Sequence, residues 1–74
     1  MVDSLGIIEF RYQFAGRLLQ ARLAGNYSQG EVARKLGVTR QCWQNWEYGH
    51  SLPPVYLLRP IAAALRVDLA ELLP

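Results

Sequence analysis

The stretch that decides the fold is Ser28-Gln29-Gly30-Glu31-Val32-Ala33-Arg34-Lys35-Leu36-Gly37-Val38-Thr39-Arg40-Gln41-Cys42-Trp43-Gln44-Asn45-Trp46-Glu47-Tyr48-Gly49, followed after three residues by Pro53. Ser28 stands where a helix N-cap belongs, and Glu31 three residues on completes a capping box in which each side chain satisfies a free backbone amide of the other. Val32, Ala33 and Leu36 then form an apolar face at helical spacing, so this helix is predicted over about 29–36. Gly37 supplies the left-handed stop that a residue with a Cβ adopts only under strain. Val38 is suited to pack inward, and Thr39 caps a second helix over about 40–47. The turn between the two helices is therefore very short.

Outward from this pair, the chain reads as helical throughout. Phe10, Phe14, Leu18 and Ala21 recur at helical spacing up to the stop at Gly25-Asn26, which predicts a first helix over roughly 9–24. Residues 1–8 then form an N-terminal extension to a domain of residues 9–74. After Tyr48-Gly49 the chain from His50 to Leu58 contains Pro53-Pro54 and reads as a loop. Pro60 fits only the first turn of a helix and disfavours helical geometry at Arg59, so the fourth helix is expected near Pro60 and on to about Arg66. Asp68 caps a last short helix, 69–73, whose Leu69, Leu72 and Leu73 fold back on the core. The expected class is all-α, with five helices in one domain.

Length and composition agree with one small domain. The chain has 74 residues, 51% of them hydrophobic, with no alternating run of strand-forming residues. The single Cys42 forms no intramolecular disulfide, and one Cys with one His offers no zinc-ligand set, so no cofactor or metal is expected. No signal-peptide pattern or membrane-length apolar run is present, which leads to an expectation of a cytoplasmic protein with no membrane partner. The net charge of +2 is unevenly spread. Asp3 and Glu9 give −2 in residues 1–10, whereas Arg11, Arg17, Arg22, Arg34, Lys35 and Arg40 against Glu31 give +5 in residues 11–40. A basic segment of this kind can follow a phosphate backbone, although a solvated helix surface has the same composition.

The 28–49 segment resembles the helix-turn-helix of the phage-repressor, Cro and XRE family of transcriptional regulators. It has that family's Ser-Gln opening, hydrophobic-Ala pair, turn glycine, Glu-x-Gly ending and Pro four residues later. The similarity extends from about Arg17 to Leu73, through the Ala62 to Leu65 core and the closing Val67-Asp68-Leu69 pattern. It implies a five-helix, lambda-repressor-like domain that places its third helix in the major groove of double-stranded DNA. Ala33 is small enough for the two helices to cross closely. Trp43 and Trp46 lie on one face of the third helix and are expected in the core, where relatives usually carry aliphatic residues.

The other face of that helix carries Arg40, Gln41, Gln44 and Asn45, at spacings that let them point outward together. Arginine pairs bidentately with guanine, and Gln and Asn with adenine, so all four are candidates for base readout. The resemblance favours Arg40, Gln41 and Asn45 as readers. It also assigns Gln29 to the DNA backbone, where the free amides of a helix N-terminus attract phosphate. Ser28, Thr39, Arg22 and Arg17 complete the backbone candidates, with Arg59 and His50 weaker ones. Similar proteins pair an arginine of the first helix with a glutamate of the third, which implies a structural pair between Arg22 and Glu47.

An enzyme is not expected, because the chain has one His, one Cys, no glycine-rich phosphate loop in a strand-helix setting and no clustered carboxylates, and Cys42 with His50 suggests a catalytic dyad only superficially. Cys42 is read as a packing or groove residue. The competing class is a protein-interaction module on the same fold, such as an antitoxin or a regulatory partner subunit. The apolar segments Leu52 to Leu58 and Leu5-Gly6-Ile7-Ile8 suit such a module, and they suit a homodimer equally. Because one recognition helix covers few base pairs, a homodimer on a twofold operator is expected, with Val55, Tyr56 and Leu57 at its interface.

Overall fold

The computed structural model describes residues 4–74, with side chains from Gly6 onward. Its helices are α1 (Ser4–Ala24), α2 (Gln29–Leu36), α3 (Arg40–Glu47), α4 (Leu58–Leu65) and α5 (Leu69–Leu72), with a 3-10 turn at Val55–Leu57 and no strand among the described residues. The chain is all-α, as the pattern of caps and periodicity predicts.

The caps act as their chemistry requires. Ser28 Oγ accepts from the Glu31 N–H at 3.0 Å while the Glu31 carboxylate accepts from the Ser28 N–H at 2.9 Å. Gly37, at φ 70°, ends α2 with its N–H on the carbonyls of Ala33 and Arg34. Thr39 Oγ1 then accepts from the Cys42 N–H at 3.0 Å and starts α3. Asp68 and Glu71 form a second capping box at α5.

Two helix starts differ from expectation. α1 starts at Ser4 rather than near residue 9, so the described part of the N-terminal extension is helix; residues 1–3 lie outside the described residues. Its first turns set Ile7, Ile8 and Phe10 on more than one face, which hides the helix start from a search for one apolar stripe. They are braced by the Phe10–Phe14 ring stack at 6.3 Å and by the Arg11 guanidinium on the His50 carbonyl. α4 starts at Leu58 rather than near Pro60. Pro60 thus becomes the third helical residue, where its missing N–H belongs to the four that have no intrahelical partner anyway. The earlier start sets Leu57 and Leu58 against the core, which offsets the strain at Arg59.

The core gathers Phe14 and Leu18 of α1, Val32 and Ala33 of α2, Trp43 and Trp46 of α3, Ile61, Ala62 and Leu65 of α4, and Leu72 of α5. Trp43 is wholly buried, and its ring meets Trp46 edge-on at 5.9 Å. Such an aromatic pair adds roughly 0.5–1.5 kcal/mol beyond the area it buries. Leu73 of the predicted last helix falls just outside α5 and is exposed.

Candidate nucleic-acid interface

α2 and α3 cross where Ala33 keeps the side-chain layer thin. The Val38 N–H donates back to the Ala33 carbonyl at 3.0 Å, closing the turn between them. With the two tryptophans turned inward, α3 presents Arg40 and Gln41 as exposed residues and Gln44 and Asn45 as half-buried ones. Gln41 Nε2 donates to Asn45 Oδ1 at 3.1 Å, so these two amides are aligned along one face. The bond leaves Gln41 Oε1 as an acceptor and Asn45 Nδ2 as a donor, the combination needed to read an adenine edge.

A buried carboxylate holds that face in place. Glu47 is the one buried charged residue among those described. Arg22 of α1 donates to it through Nε at 2.8 Å and Nη2 at 2.7 Å, a bidentate pair. Trp43 Nε1 donates at 2.6 Å from one turn back, and Gln29 Nε2 at 3.2 Å from α2. Burial pushes the Glu47 pKa up, but the hydrogen bonds from Arg22, Trp43 and Gln29, with the charge of Arg22, outweigh it and hold the carboxyl below its ordinary value. In return, the hydrogen bond to Glu47 raises the Arg22 pKa against its own desolvation.

The network extends to the helix surface. Gln44 Nε2 donates to Gln29 Oε1 at 3.0 Å, so a chain of bonds runs from α3 through α2 to the carboxylate. Gln44, a readout candidate by sequence, is thus engaged between helices. Gln29 has its side chain committed to Glu47 and Gln44, while its backbone N–H, in the first turn of α2, stays free for an acceptor. The Ser28 and Thr39 oxygens accept their cap bonds and keep their O–H hydrogens to donate.

The remaining candidates spread over the surface. Arg22 spends its third nitrogen on the Tyr27 carbonyl at 2.9 Å. Arg17 reaches the Glu71 carbonyl at 3.4 Å, beside α5 and apart from the reading face. His50 is exposed against Tyr48, and Arg59 is exposed on α4. Cys42 is half-buried and packs on the core. Sequence reasoning missed the Trp43 indole and the Gln29–Gln44 link. The spacing of Trp43 and Glu47, four apart on one helix, was the available signal for the first. No group of residues suited to hold a metal occurs among the described residues, and none of their helices is long and apolar enough to cross a membrane.

Comparison with known proteins places this geometry. No curated protein matches the chain. The crystal structure of the restriction-modification controller protein C.AhdI from Aeromonas hydrophila is similar, with 28% identity, a TM-score of 0.77, and coverage of 82% of this chain and 92% of that one. The helix-turn-helix family model matches residues 18–72, from the middle of α1 through α5. The chain belongs to the helix-turn-helix family.

Proposed function

We propose that this chain is a DNA-binding transcription regulator that reads a twofold operator as a homodimer, one α3 in the major groove of each half-site. The observation that carries the reading is the outward face of α3: Arg40, Gln41 and Asn45 project from a helix whose inner side is fixed to α1 and α2 through Glu47. An exposed helix that served only solubility would have no use for so rigid a mounting. Similarity to a restriction-modification controller protein supports the regulator reading. Ser28, Thr39 and the first-turn amides of α2 contact the DNA backbone, and Gln29 does so through its N–H while its side chain braces Gln44. Selection of bound duplexes from random DNA tests this: an enriched inverted repeat is expected, and no enrichment sinks the proposal.

The competing interaction-module reading draws on Val55 and Tyr56, which are 82% and 75% exposed. In the proposal above Val55 and Tyr56 serve the second copy, while Leu57, expected there by sequence, packs on the core.

Two variants separate the roles of the amides. Gln41→Ala removes an exposed bidentate group without opening a cavity, and should lose about 1–3 kcal/mol of discrimination at one base pair per half-site. Binding to a panel of singly substituted operators measures it; an unchanged base preference would refute readout by Gln41. Gln29→Ala keeps the backbone N–H that meets the phosphate but removes the brace on Gln44 and Glu47, so it should loosen the seating of α3 and weaken matched and mismatched sites alike. It should also lower stability by roughly 1 kcal/mol through the lost bond to Glu47. A change confined to one base pair would contradict this positioning role.

A further inference from the structure

Several exposed apolar side chains border one hollow of the molecule. A pocket of about 120 Å³ is walled by Phe10 and Phe14 of α1, Leu52 and Val55 of the loop, Leu58 of α4, and Leu73. None of these is charged. Ile7, one turn before Phe10, is 47% exposed, and Tyr56, next in the chain to the wall residue Val55, is 75% exposed. Phe10 and Ile7 belong to the part of α1 that precedes the family match at residue 18.

We infer that this pocket takes the Tyr56 ring of a second copy, so that the first half of α1 is part of the dimer interface. The inference rests on the homodimer reading above and adds its anchor. A twofold interface brings one patch against itself, and a patch holding both a projecting ring and an adjacent hollow is complementary to its own copy. The ring body enters the apolar pocket while its hydroxyl stays at the wet rim. Ile7, Phe10, Leu52, Val55, Tyr56 and Leu73 together leave on the order of 700 Å² exposed, against the ~800 Å² per partner that a standard interface buries. The lack of charge in the walls excludes a phosphate-bearing occupant, and no reader of α3 lines the pocket, so both reading faces stay free.

Sedimentation equilibrium and cross-linking test this together. Tyr56→Ala, at an exposed position, should leave the thermal melt unchanged and raise the dimer dissociation constant roughly thirtyfold or more, as loss of a hot-spot anchor does. On a Cys42→Ser background, a Phe10→Cys copy mixed with a Tyr56→Cys copy at concentrations above the weakened dissociation constant should form a disulfide-linked pair on mild oxidation, and Leu23→Cys in place of Phe10→Cys should not. Leu73→Cys provides a second wall position if Phe10→Cys melts early. A wild-type dimer that Tyr56→Ala leaves intact, or a cross-link no better than that of Leu23→Cys, overturns the pocket while the homodimer stands. A wild-type chain that stays monomeric both free and on DNA overturns both.

Discussion

Glu47→Ala is expected to destabilise the fold by about 3–5 kcal/mol, because it leaves a buried guanidinium without its partner. The Arg22 side chain is 12% exposed and that of Glu47 2%, so water cannot replace the lost bonds. The Trp43 and Gln29 donors are stranded at the same time. A domain of this size has only about 5–15 kcal/mol in total, and each kcal/mol moves its midpoint by roughly 4–8 °C, so Tm should fall by about 12 °C or more. Removing both charges with well-shaped apolar residues, Arg22→Met with Glu47→Leu, should be less damaging than Glu47→Ala alone, since no charge is left buried. The acid response follows from the depressed Glu47 pKa. Its stabilisation is complete above the unfolded carboxylate value near 4.3 and is lost as pH falls through the lower folded value. Glu47→Gln should therefore lose less stability than the wild type on acidification below about pH 4.3. Thermal melts across pH measure both effects, and parallel acid profiles would show that Glu47 is not the titrating group.

The residues that cap and turn the chain were legible because their chemistry is local. Ser28 with Glu31, Gly37 and Thr39 each act on a backbone group within four residues, so spacing alone specifies the α2–turn–α3 unit. The start of α1 was not legible, since Ile7, Ile8 and Phe10 follow no single stripe and the bracing contact from Arg11 comes from His50, 39 residues away. The same limit applies to the site. The outward set Arg40, Gln41 and Asn45 follows from helical periodicity. By contrast, the bonds that engage Gln44 and Gln29 join different helices, and their existence depends on how closely α2 and α3 cross. Trp43 shows the mixed case: its burial was readable from its face of the helix, whereas its donation to Glu47 required the carboxylate to be buried too.

Raising salt from 50 to 200 mM is expected to weaken specific DNA binding by about a hundredfold. The estimate comes from which cations the fold leaves available. Arg22 is neutralised by Glu47, and Arg17 is held beside α5, which removes two of the sequence candidates for phosphate contact. Arg34 and Lys35 of α2 remain exposed, whereas Arg40 of α3 is committed to the bases under the regulator reading. Two cations per copy make four in a dimer, and at about 0.9 released counterions per neutralised phosphate the log–log slope is about −3.6. A monomer would show a slope of about −1.8 and lose only roughly twelvefold over the same range. Arg34→Ala should flatten the dimer slope by about two units, one for each copy, whereas Arg17→Ala should leave it unchanged. Binding titrations at several salt concentrations give all three slopes. A salt-independent affinity would mean that the exposed cations meet no phosphate, and the regulator reading would then fall to the protein-interaction module. A steep slope that responds to Arg17 instead of Arg34 would place the DNA on the α1–α5 side of the molecule.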